Sequence, residues 1–75
     1  MEELMNILEE LRPDVDFENE TALIDNGILD SFDIVSLVNE LKEAFDIDIK
    51  PGDLVPANFN SAEAMFAMVT RLQDE

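Results

Sequence analysis

Gly27-Ile28-Leu29-Asp30-Ser31-Phe32-Asp33-Ile34-Val35-Ser36-Leu37-Val38-Asn39-Glu40-Leu41-Lys42-Glu43-Ala44-Phe45 is the stretch on which the fold turns. Ile34, Leu37, Val38, Leu41 and Phe45 recur at steps of three and four, the spacing that lines one face of a helix. Asp30 or Ser31 can cap its amino end, and Asp33 adds negative charge to the first turn, where the helix dipole favours it. The predicted helix therefore runs from Ser31 to about Phe45. Gly27 supplies backbone freedom for a turn just ahead of it.

Outward from this helix the chain reads as helical at both ends. Upstream, Leu4, Ile7, Leu8 and Leu11 place an apolar stripe on a helix over Glu2 to Leu11, which Pro13 ends. Between Arg12 and Asp30 lies a loop longer than a compact domain normally uses. Phe17, Leu23, Ile24, Ile28 and Leu29 punctuate it and are expected to pin it against the helices. Downstream, Asp46-Ile47-Asp48-Ile49 alternates like a strand, but four residues with no pairing partner make an extended connector that buries its isoleucines. Pro51 and Gly52 bracket a turn, and Asp53-Leu54-Val55 is expected to form one short helical turn before Pro56. Asn58-Phe59-Asn60-Ser61 reads as a capping run for a last helix, which Met65, Met68, Val69 and Leu72 carry to about Gln73. Met65 and Met68, with Phe66, read as core filler. The fold class is all-α: a small four-helix bundle over 1-75, three helices long and one short, with the long loop between the first and second. Its radius of gyration should be about 11 Å.

Composition removes most chemistries. The 75 residues hold 4 Lys and Arg against 19 Asp and Glu, for a net charge of -15, and contain no Cys and no His. Without them there is no disulfide framework, no thiolate or imidazole metal site and no imidazole base for a serine, so a self-contained enzyme is not expected. The charge repels phosphate backbones and anionic lipid, which argues against nucleic acid and membrane insertion and in favour of a basic protein partner. The acidic start and the lack of a long apolar run point to a cytoplasmic protein, and a monomer is expected. Asp14-x-Asp16-x-Glu18-x-Glu20 looks like the start of a calcium loop, but Asn19 stands where the turn wants glycine and Asp25 where the loop wants glutamate. No metal site is expected.

Among the hydroxyls Thr21, Ser31, Ser36, Ser61 and Thr70, Ser61 is explained by capping. Ser31 is different, because it follows the Gly27 turn at the start of the longest helix. A phosphate on it would lie near unpaired backbone N–H groups and the positive end of the helix dipole. On position alone an ordinary N-cap is the better explanation of the serine, because serine at helix starts is common.

Thr21-x-Leu23-x-x-x-Gly27-x-Leu29-Asp30-Ser31-Phe32, followed by a helix with Val35, Leu37 and Val38 and then Leu41, Phe45 and Asp46-Ile47-Asp48-Ile49, resembles the acyl carrier protein family. The resemblance extends over nearly the whole chain. It implies that Ser31 carries 4'-phosphopantetheine, transferred from coenzyme A by a separate phosphopantetheinyl transferase. The arm's thiol would hold an acyl or aminoacyl group as a thioester for fatty acid, polyketide or related biosynthesis. A chain without cysteine can do thioester chemistry on such a borrowed thiol. Phe32 departs from the leucine usual in the family. Gly27-Ile28-Leu29-Asp30-Ser31 looks more like the Gly-Leu-Leu-Asp-Ser pattern of D-alanyl carrier proteins, which serve cell-wall teichoic acid modification. An unmodified acidic interaction module, with Ser31 only a cap, is the alternative from another class.

If Ile34, Leu37, Leu41 and Phe45 face inward, Phe32 and Val35 lie on an exposed face beside Ser31. They are the candidate docking spot, with Asp30, Asp33, Glu40 and Glu43 as an acidic rim. Partners would be the transferase, a loading ligase and acyl-transferring or condensing enzymes with basic docking surfaces.

Overall fold

Asp30, not Ser31, starts the central helix. In a computed structural model describing residues 1–74, with Glu75 outside them, the Asp30 carboxylate accepts the backbone N–H of Asp33 at 2.9 Å, and the Asp33 carboxylate accepts the N–H of Asp30 at 3.2 Å. This reciprocal capping box satisfies two of the amide donors that a helix start leaves unpaired. The helix so begun spans Ser31–Phe45 and is α2 in an order of α1 (Glu2–Leu11), α2, α3 (Pro56–Phe59) and α4 (Ala62–Gln73). It ends at Asp46, whose left-handed backbone (φ 53°) turns its N–H back to the Lys42 carbonyl.

The apolar stripes meet as their spacing predicts. Leu4 and Leu8 of α1, Leu37 and Leu41 of α2, and Met65, Met68, Val69 and Leu72 of α4 are buried together. Ile34, Val38 and Phe45 pack partly buried at the margin. Burying one such side chain is worth roughly 1.5–3 kcal/mol, so these residues dominate the stability of a chain this small. α1 and α2 pack against each other, and α4 contacts both. The radius of gyration is 11.1 Å, in line with a compact chain of this length. All four helices are α-helical and the described residues contain no strand. Asp46–Ile49 is a connector that buries Ile47 and Ile49, because the bundle offers it an apolar groove and no strand to pair with.

The short element lies elsewhere than expected. Asp53-Leu54-Val55 is not the fourth helix: a 3-10 turn covers Pro51–Asp53, and α3 begins at Pro56. Proline at the first helical position sacrifices an amide that had no partner there and presets φ. Asn58 and Phe59 therefore belong to α3, and only Ser61 caps α4, accepting the Ala64 N–H at 3.0 Å. Phe59 is buried and packs α3 into the core, while Phe66 is 37% exposed and is not core filler.

The long loop is held at intervals. Phe17, Leu23 and Leu29 are buried in the common core. Asn60, between α3 and α4, fastens its middle: the side-chain Oδ1 accepts the N–H groups of Ile24 (3.0 Å) and Asp25 (3.1 Å), and the backbone carbonyl accepts that of Leu23 (2.9 Å). Gly27 then turns the chain with φ 69°, a conformation that costs an L side chain about 1–2 kcal/mol. From that turn the backbone runs directly into Leu29, Asp30 and Ser31.

Candidate functional site

With Asp30 as the cap, Ser31 is the first residue of the helix proper, and its hydroxyl is left over. Ser31 is exposed, and among the described residues its side chain has no hydrogen-bond partner. The ordinary N-cap explanation for this serine is thereby removed. Because the capping box occupies the amides of Asp30 and Asp33, the N–H groups of Ser31 and Phe32 stay without a partner among the described residues. A phosphate ester on the Ser31 oxygen would have these two donors and the positive end of a 15-residue helix beside it. The residues present thus fit a phosphate-linked group.

Phe32 is 84% exposed and Val35 is 61% exposed, side by side on the outer face of α2. Leu54 and Val55, ahead of α3, are exposed as well and extend the apolar surface. Sequence spacing missed this pair because no helical period connects them to α2. Between α2 and α3 lies an apolar recess of about 160 Å³ lined by Ile24, Ile34, Leu54, Val55, Pro56 and Phe59. It shares Ile24 and Ile34 with an open recess that reaches Ser31 and Val35.

The acidic rim is smaller than the sequence suggests. Glu40 and Glu43 are exposed, and Asp30 is exposed although its carboxylate is engaged in the cap. Asp33 is not an open docking carboxylate. Its side chain is only 16% exposed and accepts Arg12 Nη1 at 2.8 Å, so its charge is answered within the chain. The same Arg12 nitrogen donates to the Ile28 carbonyl at 3.0 Å, and Nε and Nη2 form a fork on Asp14 at 3.2 Å each. Hydrogen bonds to Asp14 and Asp33 raise the Arg12 pKa further above its already high value, and the Arg12 guanidinium holds the Asp14 carboxyl below the usual aspartate range. Sequence reasoning found neither Arg12 nor Asn60; an arginine directly at the end of α1, in a chain with so few cations, was the available signal.

Comparison with known families matches residues 2–69 to the family described as the phosphopantetheine attachment site. The chain belongs to this family of acyl carrier proteins, whose members bear a covalent 4'-phosphopantetheine group and are not themselves catalysts. Its relatives include a D-alanyl carrier protein of Lactococcus lactis subsp. lactis (strain IL1403), 34% identical over 99% of this chain and 96% of that one. The D-alanyl carrier protein of Streptococcus sanguinis (strain SK36) is 34% identical over 96% of this chain and 92% of its own. That of Bacillus cereus (strain B4264) reaches 43% over 69% and 68%. No solved structure matched the chain. Membership implies interaction with a phosphopantetheinyl transferase and with ligase or acyl-transfer enzymes. No helix among the described residues is long and apolar enough to cross a membrane.

Proposed function

We propose that Ser31 is the attachment point and that the chain, a single carrier domain acting as a cytoplasmic monomer, carries D-alanine between a loading ligase and an acyltransferase. The observation that supports the site is the exposed, partnerless Ser31 hydroxyl at the first position of a capped helix. Loading joins the Ser31 oxygen to the phosphorus of phosphopantetheine and releases the nucleotide half of coenzyme A. The hydroxyl proton leaves to a base on the transferase, the partner that also brings coenzyme A. When bound, the arm supplies a thiol that holds the cargo as a thioester. The chain contributes position and recognition: Asp30 starts the helix, Phe32 and Val35 offer the apolar contact, and Asp30 and Glu40 remain as acidic neighbours for a basic partner.

The D-alanyl cargo rests on the names of the relatives and on the Gly27-Ile28-Leu29-Asp30-Ser31 pattern. A carrier of fatty acid or polyketide synthesis is the second reading, favoured by the apolar recess that opens toward Ser31. Intact-mass measurement after incubation with coenzyme A and a broad transferase tests the site. One phosphopantetheine is expected on the parent chain and none on Ser31→Ala; an unmodified parent or a modified variant would overturn it. Competition between D-alanine and fatty-acid ligases for the loaded chain then separates the cargoes.

A further inference from the structure

We propose that Arg12 is a positioning residue for Ser31, bracketing the backbone on both sides of the serine so that its hydroxyl is held ready for loading. This rests on Ser31 being the attachment point. The Ser31 side chain has no hydrogen bond of its own among the described residues, so its place is set by the backbone that carries it. One nitrogen of Arg12 holds that backbone from both directions. Nη1 donates to the carbonyl of Ile28, three residues before the serine, and to the carboxylate of Asp33, two residues after it. Asp33 in turn accepts the N–H of Asp30, which closes the bracket around Asp30, Ser31 and Phe32.

The anchor is itself held at both its backbone and its guanidinium. Arg12 directly follows α1, and its own N–H bonds to the Leu8 carbonyl at 2.9 Å. The fork on Asp14 fixes the rest of the guanidinium plane. Arg12 is also the one Lys or Arg ahead of Lys42, in a stretch crowded with carboxylates, yet it reaches 21 positions along the chain to Asp33. The exposed pair with Asp14 contributes little to stability, while the part-buried pair with Asp33 holds the segment that carries the serine, so the consequence of this arrangement is expected in the loading rate. Phosphoryl transfer depends strongly on where the nucleophile sits, and a small misplacement is expensive in rate.

The test measures kcat and KM for phosphopantetheine loading by a transferase, using the full chain. Arg12→Gln should lower kcat about tenfold with KM within about twofold, the size expected for a displaced but intact nucleophile. The double variant Arg12→Gln with Asp33→Asn separates position from charge: the amide side chain at that position keeps an acceptor for the Asp30 N–H but removes the carboxylate that Arg12→Gln leaves bare. The double variant should load no faster than Arg12→Gln alone. Amide hydrogen exchange supplies a readout independent of overall folding. Exchange at Asp30 and Asp33, whose N–H groups are hydrogen-bonded in the capping box, should quicken in Arg12→Gln while α4 amides keep their protection. The proposal is overturned if Arg12→Gln loads at the parental kcat, if the loss appears only in KM, if the double variant recovers the parental rate, or if exchange quickens equally across the chain. An unloaded parent, or a loaded Ser31→Ala, would instead show that the attachment site itself is misassigned, and the proposal would go with it.

Discussion

Replacing Asn60 with alanine should unfasten the long loop from the junction of α3 and α4 without touching the core. Three side-chain hydrogen bonds are lost: those accepted from the N–H groups of Ile24 and Asp25, and the one donated to the Asp25 carboxylate at 3.1 Å. The Asp25 groups are exposed, so water replaces their partner at little cost. The Ile24 amide is in a partly buried bond, and stranding it carries most of the penalty; the total is about 2 kcal/mol. In a domain of this size each kcal/mol moves the melting temperature by about 4–8 °C, so the transition followed by circular dichroism should fall by roughly 8–16 °C. The Leu23 N–H bonds to the backbone carbonyl of residue 60, which alanine retains. Amide exchange should therefore quicken at Ile24 and Asp25 while Leu23 remains protected. A loss below about 0.5 kcal/mol, the size of an ordinary surface substitution, would refute the idea that this side chain fastens the loop. So would faster exchange at Leu23 equal to that at Ile24.

Phe32→Asp should leave the melting temperature nearly unchanged, because the ring is 84% exposed, yet raise KM for partner enzymes severalfold; an unchanged KM would remove Phe32 from the docking surface. Asp46→Gly should stabilise the fold by about 0.5–1 kcal/mol in chemical denaturation, since it relieves a left-handed aspartate and removes a negative charge from the carboxyl end of α2. Asp53 is held below the usual aspartate range by its hydrogen bond from Arg71 and then by the Lys50 N–H. A lowered folded value means the contribution is complete above the ordinary aspartate range and is lost as pH falls through the lowered one, so Asp53→Asn should melt below the parent at neutral pH and converge with it in strong acid. A gap that stays constant with pH would contradict this. Added sodium chloride should raise the parent's melting temperature by screening the -15 net charge, and a flat response would show that self-repulsion is weak.

What could be read from the residues in advance was what local spacing controls. Leu37 and Leu41 announce α2, Leu4 and Leu8 announce α1, and Met65, Met68, Val69 and Leu72 announce α4, because each helix is long enough for a period to show. Position at the start of a long helix did not by itself single out Ser31, which as readily reads as a cap; the motif around it, Gly27 to Phe32, did. α3 was not legible, because four residues are too few to display a period, and Pro56–Phe59 is helical because Phe59 finds the core. Asp33 was misread as an open rim carboxylate because its partner, Arg12, lies 21 positions away. Asn60 was read as part of a cap for a related reason: its partners Ile24 and Asp25 are 36 and 35 positions distant. Long-range side-chain hydrogen bonds leave no periodic trace.

The same division explains why this chain can vary its surface without endangering its fold. Every residue of the buried core is apolar, with no buried polar or charged side chain among the described residues. An enzyme of this size would have to bury part of its catalytic apparatus and carry the desolvation cost of doing so. Here the proposed attachment serine and docking residues are exposed: Ser31, Phe32, Val35 and Glu40 all lie outside the core. The bracket formed by Arg12, Ile28 and Asp33, together with buried Leu29 and the Asn60 fastening, ties that surface to the body of the molecule. Substitution at the exposed Phe32 therefore changes the surface proposed for docking and costs the bundle almost nothing, whereas substitution at Arg12 or Asn60 reaches that surface through the loop that carries it.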